Sequence, residues 1–182
     1  MTKKQPRGTT PRKRLTIYTD GACVRNPGPG GYAALLRSDS RQKIVSGGFR
    51  RTTNNRMELM AAIVALETLK KPCDVSVYSD SQYLVESMRN DSLARWQKAG
   101  WLRPDGQRVP NEDLWKRLSY VVKHHGVDFH WLPGHGESEE NQICDALARD
   151  AARRSDLARD HFFEVEQRRK YAARGKTDRR RR

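Results

Sequence analysis

A chain of 182 residues has room for one well-buried core and falls short of what two full domains need. Its 36 Lys and Arg outnumber 22 Asp and Glu, and the formal charge of +14 points to polyanionic partners. No run of about 18 apolar residues exists, so no membrane-spanning helix is expected, and Cys23, Cys73 and Cys144 lie far apart without metal-type spacing, as suits a reducing compartment.

Residues 1–14 carry six Lys or Arg and no acid, a basic arm without a hydrophobic pattern that is expected to be disordered. LTIYTD (15–20) alternates with the period of a strand and closes on Asp20. GYAALLR (31–37) and QKIVSGGF (42–49) follow as in an antiparallel meander. The period then changes: NRMELMAAIVALETLK (55–70) is apolar around most of its circumference, which a helix tolerates when covered on more than one side. VSVYSD (75–80) is the next strand and also ends on an aspartate, so strand, helix and strand imply a parallel pair joined by a crossover. A helix begins near Ser81, a Trp- and Arg-containing stretch spans 89–103, and NEDLWKRLSYVVKH (111–124) is amphipathic. VDFHWLP (127–133) is the last strand, and a helix from 139 to about 155 precedes the tail. Residues 161–182 hold nine Lys or Arg against Glu164, Glu166 and Asp178, so each end of the chain carries +6 and residues 15–160 only +2. The expected organisation is an N-terminal arm (1–14), one catalytic domain (15–158) and a basic C-terminal tail (159–182), in an α/β fold with a mixed sheet flanked by helices. The start lacks the apolar segment of a secretory signal, so a cytoplasmic monomer is expected, with nucleic acid rather than membrane as the partner of the basic ends.

If the strands at 15–20 and 75–80 are parallel neighbours, Asp20 and Asp80 meet at one carboxyl edge, where open α/β sheets place their sites. Two such carboxylates repel unless a cation lies between them, and hard oxygen ligands select Mg²⁺ or Mn²⁺ over zinc. Each acid also has an ordinary structural reading. Asp20 with Gly21 is a common turn signal, and Asn55 with Glu58 three residues on fits a capping box. Asp145 lies about 200° around its helix from Ile143, the position of an exposed acid. His135, between glycines, is either a solvated loop residue or a mobile proton carrier.

Four separated blocks, TDGACVRNPGPGGYA, TTNNRMELMAAIVALETL, YSDSQYL and GHGESEENQICDALA, resemble in order and spacing the motifs of type 1 ribonuclease H, the bacterial ribonuclease HI group. The likeness covers roughly residues 15–155. It implies a ribonuclease H-like, five-stranded mixed sheet and a Mg²⁺-dependent endonuclease that cuts the RNA strand of an RNA/DNA hybrid, leaving 5′-phosphate and 3′-hydroxyl ends. On matching positions it makes Asp20, Glu58, Asp80 and Asp145 the metal-binding carboxylates of a site with two ions about 4 Å apart, and His135 the mobile histidine. It assigns minor-groove contacts to Asn26, Asn54 and Gln82 and a DNA-phosphate pocket to Thr53 and Asn55; amides offer a donor and an acceptor to sugar hydroxyls and base edges. In the basic stretch, Arg89, Arg95, Lys98 and Arg103 beside Trp96 and Trp101 are expected to contact the DNA strand, the alternative being that the tryptophans anchor an amphipathic helix to the core. A non-catalytic hybrid-binding protein is the second reading, disfavoured by the intact acids.

Overall fold

The computed structural model describes residues 12–39, 41–134 and 138–179, from 171 onward as helix backbone. A sheet of order β3-β2-β1-β4-β5 is built from β1 (Lys13–Cys23), β2 (Gly28–Ser38), β3 (Arg41–Thr52), β4 (Cys73–Ser79) and β5 (Gly126–Trp131). The first three form the antiparallel meander, and β1, β4 and β5 run parallel, so the five-stranded mixed sheet is as the sequence implied. The helices are α1 (Asn54–Glu67), α2 (Gln82–Arg89), α3 (Ser92–Lys98), α4 (Glu112–Val122), α5 (Glu139–Ala152) and α6 (His161–Arg179).

The near-continuous apolar surface of α1 is explained by its place. Met57, Leu59, Ala61, Ala62, Ile63, Ala65 and Leu66 are all buried between the sheet and the helices α2 and α4, where Leu84, Trp115 and Leu118 close the core. Two neighbouring glycines of β2 mark the layers. A Cβ on Gly30 would strike Met57 of α1, and one on Gly31 would lie 2.2 Å from the Ala148 carbonyl of α5. Successive side chains of a strand point to opposite faces, so α1 and α5 cover opposite sides of the sheet, and α5 settles on it only because position 31 has no side chain.

Two strand boundaries differ from the sequence expectation, and both bear on the site. First, β1 does not close on Asp20. The parallel ladder with β4 ends at Thr19–Ser79, while the antiparallel ladder with β2 continues from Asp20–Ala33 to Cys23–Gly30. Second, the Gly/Pro segment 28–31 belongs to β2 rather than to a turn, because glycine is needed there for helix contact and not for a reversal. The reversal shrinks to residues 24–27, closed by a hydrogen bond from the Val24 amide to the Pro29 carbonyl (2.9 Å).

The expected arm lies largely outside the described residues; Lys13 and Arg14 are already strand. The segment read as a tail is ordered from its start. Ala158 bridges to Phe49 at the outer edge of β3, Asp160 and Phe163 are buried, and α6 follows. Among the described residues no helix is long and apolar enough to cross a membrane.

Candidate active site

Asp20 is the first residue of β1 past its pairing with β4, Asp80 directly follows β4, and Glu58 stands in the first turns of α1. A carboxylate oxygen from each can be chosen so that all three lie within 4.8 Å of one another. Asp20 and Glu58 are 5% and 4% exposed. Asp145 on α5 lines the same cleft, of about 520 Å³, from the opposite layer, with Gly21, Asn54 and Arg149. The buried stripe of α5 is Asn141, Cys144, Ala148 and Ala151, with Ile143 and Leu147 only half-buried. The helix is therefore rotated from the stripe read in the sequence, which turns Asp145 toward the cleft. Arg149, one turn on, pairs with it (Nε to Oδ1, 2.9 Å).

Gly21 answers the question posed by its pairing with Asp20. A Cβ there would lie 2.3 Å from the backbone nitrogen of Glu58, so the dipeptide marks a close approach of β1 to α1 and not a turn. The Gly21 amide favours the charged forms of the Asp20 and Glu58 carboxyls. The capping box does not form: the N-cap is Thr53, in extended backbone and without a side-chain cap bond, so Glu58 is released for the cleft. Glu58 accepts from Asn54 Nδ2 (3.3 Å) on one oxygen; its other oxygen, buried, has no hydrogen-bond partner.

Burial and like charge act together on these acids. Burial first, then Asp80 and Asp145, push the Asp20 carboxyl up to about 7, against the Gly21 amide and Arg149. Burial, then Asp20 and Asp80, hold Glu58 well above the usual carboxylate range. A buried, unpartnered carboxylate oxygen among three other acids is the arrangement a hard divalent cation relieves, and the all-oxygen donor set suits one.

Around the acids, Asn26 Oδ1 accepts from the Asn54 amide (3.3 Å), which links Asn26 through Asn54 to Glu58. Thr53 and exposed Asn55 flank this link at the start of α1, and exposed Gln82 opens α2 two residues after Asp80. The backbone of Asp80 is fixed from β5 by a bond that sequence reading missed: Trp131 Nε1 donates to its carbonyl (3.1 Å). His135 lies outside the described residues; the preceding Gly134 sits beside Asp80, its Cβ position 3.4 Å from Oδ2.

The basic stretch divides. Arg89, Arg95 and Lys98 are exposed; Arg89 donates to the Phe129 carbonyl (2.9 Å) and Arg95 to Ser92 Oγ (2.9 Å), while Arg103 pairs with Asp105 (2.9 Å). Trp101 is 9% exposed, with Lys116 over its ring at 5.4 Å, and half-buried Trp96 packs on Trp115 at 5.3 Å. The burial of Trp101 favours the alternative in which its indole anchors the segment to the core.

Strand order, the acid-lined edge of β1 and β4, and helices on both faces define a ribonuclease H-like protein. The sequence profile of the RNase H family matches residues 12–153. A ribonuclease H of Syntrophus aciditrophicus is 48% identical over 162 residues, 87% of this chain and 94% of its own. Among solved structures, LC9-RNase H1, a type 1 RNase H with the type 2 active-site motif, superposes with a TM-score of 0.72 at 28% identity, over 80% of this chain and 74% of that one. LC11-RNase H1, solved in complex with RNA/DNA hybrid, shares the fold at 23% identity and a TM-score of 0.59, over 76% of this chain and 96% of its own. The chain belongs to the ribonuclease H family.

Proposed function

We infer that this chain is a ribonuclease H that hydrolyses the RNA strand of RNA/DNA hybrids, cutting internally and leaving 5′-phosphate and 3′-hydroxyl ends. The observation that carries the reading is the convergence of Asp20, Glu58 and Asp80 within 4.8 Å, two of them buried and one with an orphaned oxygen, in a chain of this family. Asp20, Glu58, Asp80 and Asp145 are the residues to hold two Mg²⁺ ions, with Mn²⁺ as a substitute. When bound, such ions activate the attacking water and stabilise the leaving oxygen.

The remaining work belongs to the chain. Asn26, Asn54 and Gln82 sense sugar hydroxyls and base edges in the minor groove, and the Asn26–Asn54–Glu58 link couples that contact to a metal-holding acid. Thr53 and Asn55 take a DNA phosphate at the start of α1, where the helix dipole favours an anion. His135, next in sequence to Gly134, moves a proton or helps product leave. Exposed Arg89, Arg95 and Lys98 supply counter-charge to the DNA strand.

The test offers labelled RNA/DNA hybrid, double-stranded RNA and double-stranded DNA with Mg²⁺ or Mn²⁺, with Asp20→Asn and Asp80→Asn as controls. Cutting confined to the hybrid's RNA strand and abolished in both variants is expected. Equal cutting of all three duplexes, or activity that survives both substitutions, overturns the reading.

A further inference from the structure

The strongest feature not absorbed by this function is α6. It lies wholly beyond residues 12–153, the part matched to the family, and it is not a loose basic arm. Asp160, 4% exposed, accepts from Arg56 Nε (2.6 Å) and Nη2 (2.8 Å), from Thr52 Oγ1 (2.7 Å), and from the amide of Phe163 (3.3 Å) in the first turn of the helix. Phe163 is buried, and the Arg56 guanidinium lies over the Phe162 and Phe163 rings at 5.7 and 6.0 Å. These contacts fix where α6 starts and the direction in which it leaves.

Two acids of α6 have local partners. Glu164 pairs with Arg50 and Arg159, and Glu166 with Arg169. Arg51, at the end of β3, and Arg168 and Lys170, on α6, are exposed cations without an ion-pair partner among the described residues. Arg51 and Arg168 line one groove with Arg50, Gln167 and the paired Glu164, and Lys170 lines a second with Arg103, Arg108 and the paired Glu112 and Glu166. Exposed cations without ion-pair partners are free to neutralise phosphates and so release the counterions condensed on a polyanion.

Their position relative to the acid cluster decides which polyanion. Arg56, which receives α6, and Glu58, which reaches the cluster, are two residues apart on α1 and therefore about 200° apart around it. The α6 grooves and the cluster flank the start of α1 on opposite sides, with residues 53–55 between them. A helix is roughly 10 Å across, a span of about three base pairs along a duplex at 3.4 Å per step.

We propose that α6 is a second docking face for the same nucleic-acid duplex, on which Arg51, Arg168 and Lys170 hold backbone phosphates several base pairs from the cutting site. The proposal rests on the function inferred above. It extends the footprint without adding sequence readout, because contacts to phosphate position a duplex and do not read it.

The experiment uses the full chain and the double variant Arg168→Gln/Lys170→Gln, both exposed positions whose replacement leaves the core intact. Binding of a fluorescent hybrid of about 20 base pairs is measured by anisotropy without divalent cation over a salt series. The slope of log affinity against log salt is expected to fall by about two, one unit for each lost phosphate contact. In parallel, cleavage with Mg²⁺ is expected to show KM raised several-fold on this hybrid with kcat unchanged. An unchanged binding slope overturns the proposal while leaving the ribonuclease reading in place. Absence of cleavage by the parental chain overturns that reading, and the anisotropy slope still decides α6. Vesicles rich in phosphatidylserine form a third arm: loss of vesicle binding in the double variant with the hybrid slope unchanged assigns the face to lipid and overturns the duplex.

Discussion

Arg56 and Asp160, 104 residues apart in the chain, form a buried two-point ion pair, Nε to Oδ2 at 2.6 Å and Nη2 to Oδ1 at 2.8 Å. Asp113 of α4 takes the remaining face of the guanidinium through two bonds of 2.8 and 2.7 Å. One arginine thus ties the start of α1 to α4 and to the segment that launches α6. With its donors shared between two carboxylates, the guanidinium is held more firmly charged than usual.

Removing Asp160 leaves buried positive charge half-compensated and unties α6. Asp160→Ala is expected to lower stability by about 3 kcal/mol, the scale of breaking a buried pair from one side, read as a shift in urea midpoint. Asp160→Asn keeps an acceptor for Thr52 and is expected to lose less. If the alanine variant melts with the parent, Asp113 alone suffices to hold Arg56.

The protonation of Asp20 sets a pH dependence in the metal-free protein. Its folded value of about 7 exceeds the unfolded 3.8, so between these values the folded state binds the extra proton. The stability it contributes is full below about pH 4 and is lost as pH rises toward 7, with a slope of at most about 1.4 kcal/mol per pH unit. Glu58 acts in the same direction. The difference in unfolding free energy between the parent and Asp20→Asn, measured in chelator from pH 4 to 8, should move in the variant's favour across that window. A difference that stays flat would mean that the carboxyl is not raised.

Gly21→Ala tests the close approach of β1 to α1. The new methyl would start 2.3 Å from the Glu58 nitrogen, in contact with backbone that cannot swing aside. A loss of about 2 kcal/mol or more is expected from overpacking, together with a fall in kcat through displacement of Glu58. Parental stability and kcat would show that α1 shifts freely against the strand.

Trp101 and the cations beside it should separate cleanly. Trp101→Ala is expected to cost about 3 kcal/mol or more of stability through an emptied core site, with the salt slope of hybrid binding unchanged. Arg95→Ala/Lys98→Ala should leave stability within about 0.5 kcal/mol and lower the slope by up to about two. The reverse pattern would return the indole to the interface.

The order of strands and helices was readable because both periods, two in the strands and near-continuous apolarity in α1, are written locally. The pairing of Asp20 with Asp80 followed from the strand–helix–strand order alone. Resemblance then carried Glu58 and Asp145, whose own surroundings read as a cap and an exposed helix position. Spacing alone did not bring Asp145 to the cleft because α5 is packed through small residues, Ala148, Ala151 and Ala152 against Gly31, and not through the stripe of large apolar residues. The docking of α6 was hidden for a different reason. A buried carboxylate at position 160 looks like any surface acid until its partner at 56 is brought against it by the fold. Burial of Trp101 was open in the sequence, where an indole in a basic segment fits a core anchor as well as a nucleic-acid contact.

The way β1 outlasts its parallel partner has one more consequence. Up to Thr19 it is a central strand; from Asp20 to Cys23 it is paired only on the β2 side. The carboxylate therefore stands on backbone that is anchored by one ladder and closed on the other flank by the packing of Gly21 against α1. Residues 24–27 hang beyond that ladder, and Asn26 among them reaches Glu58 through Asn54, so the reversal is tied to the cluster through α1 rather than through the strand that carries Asp20.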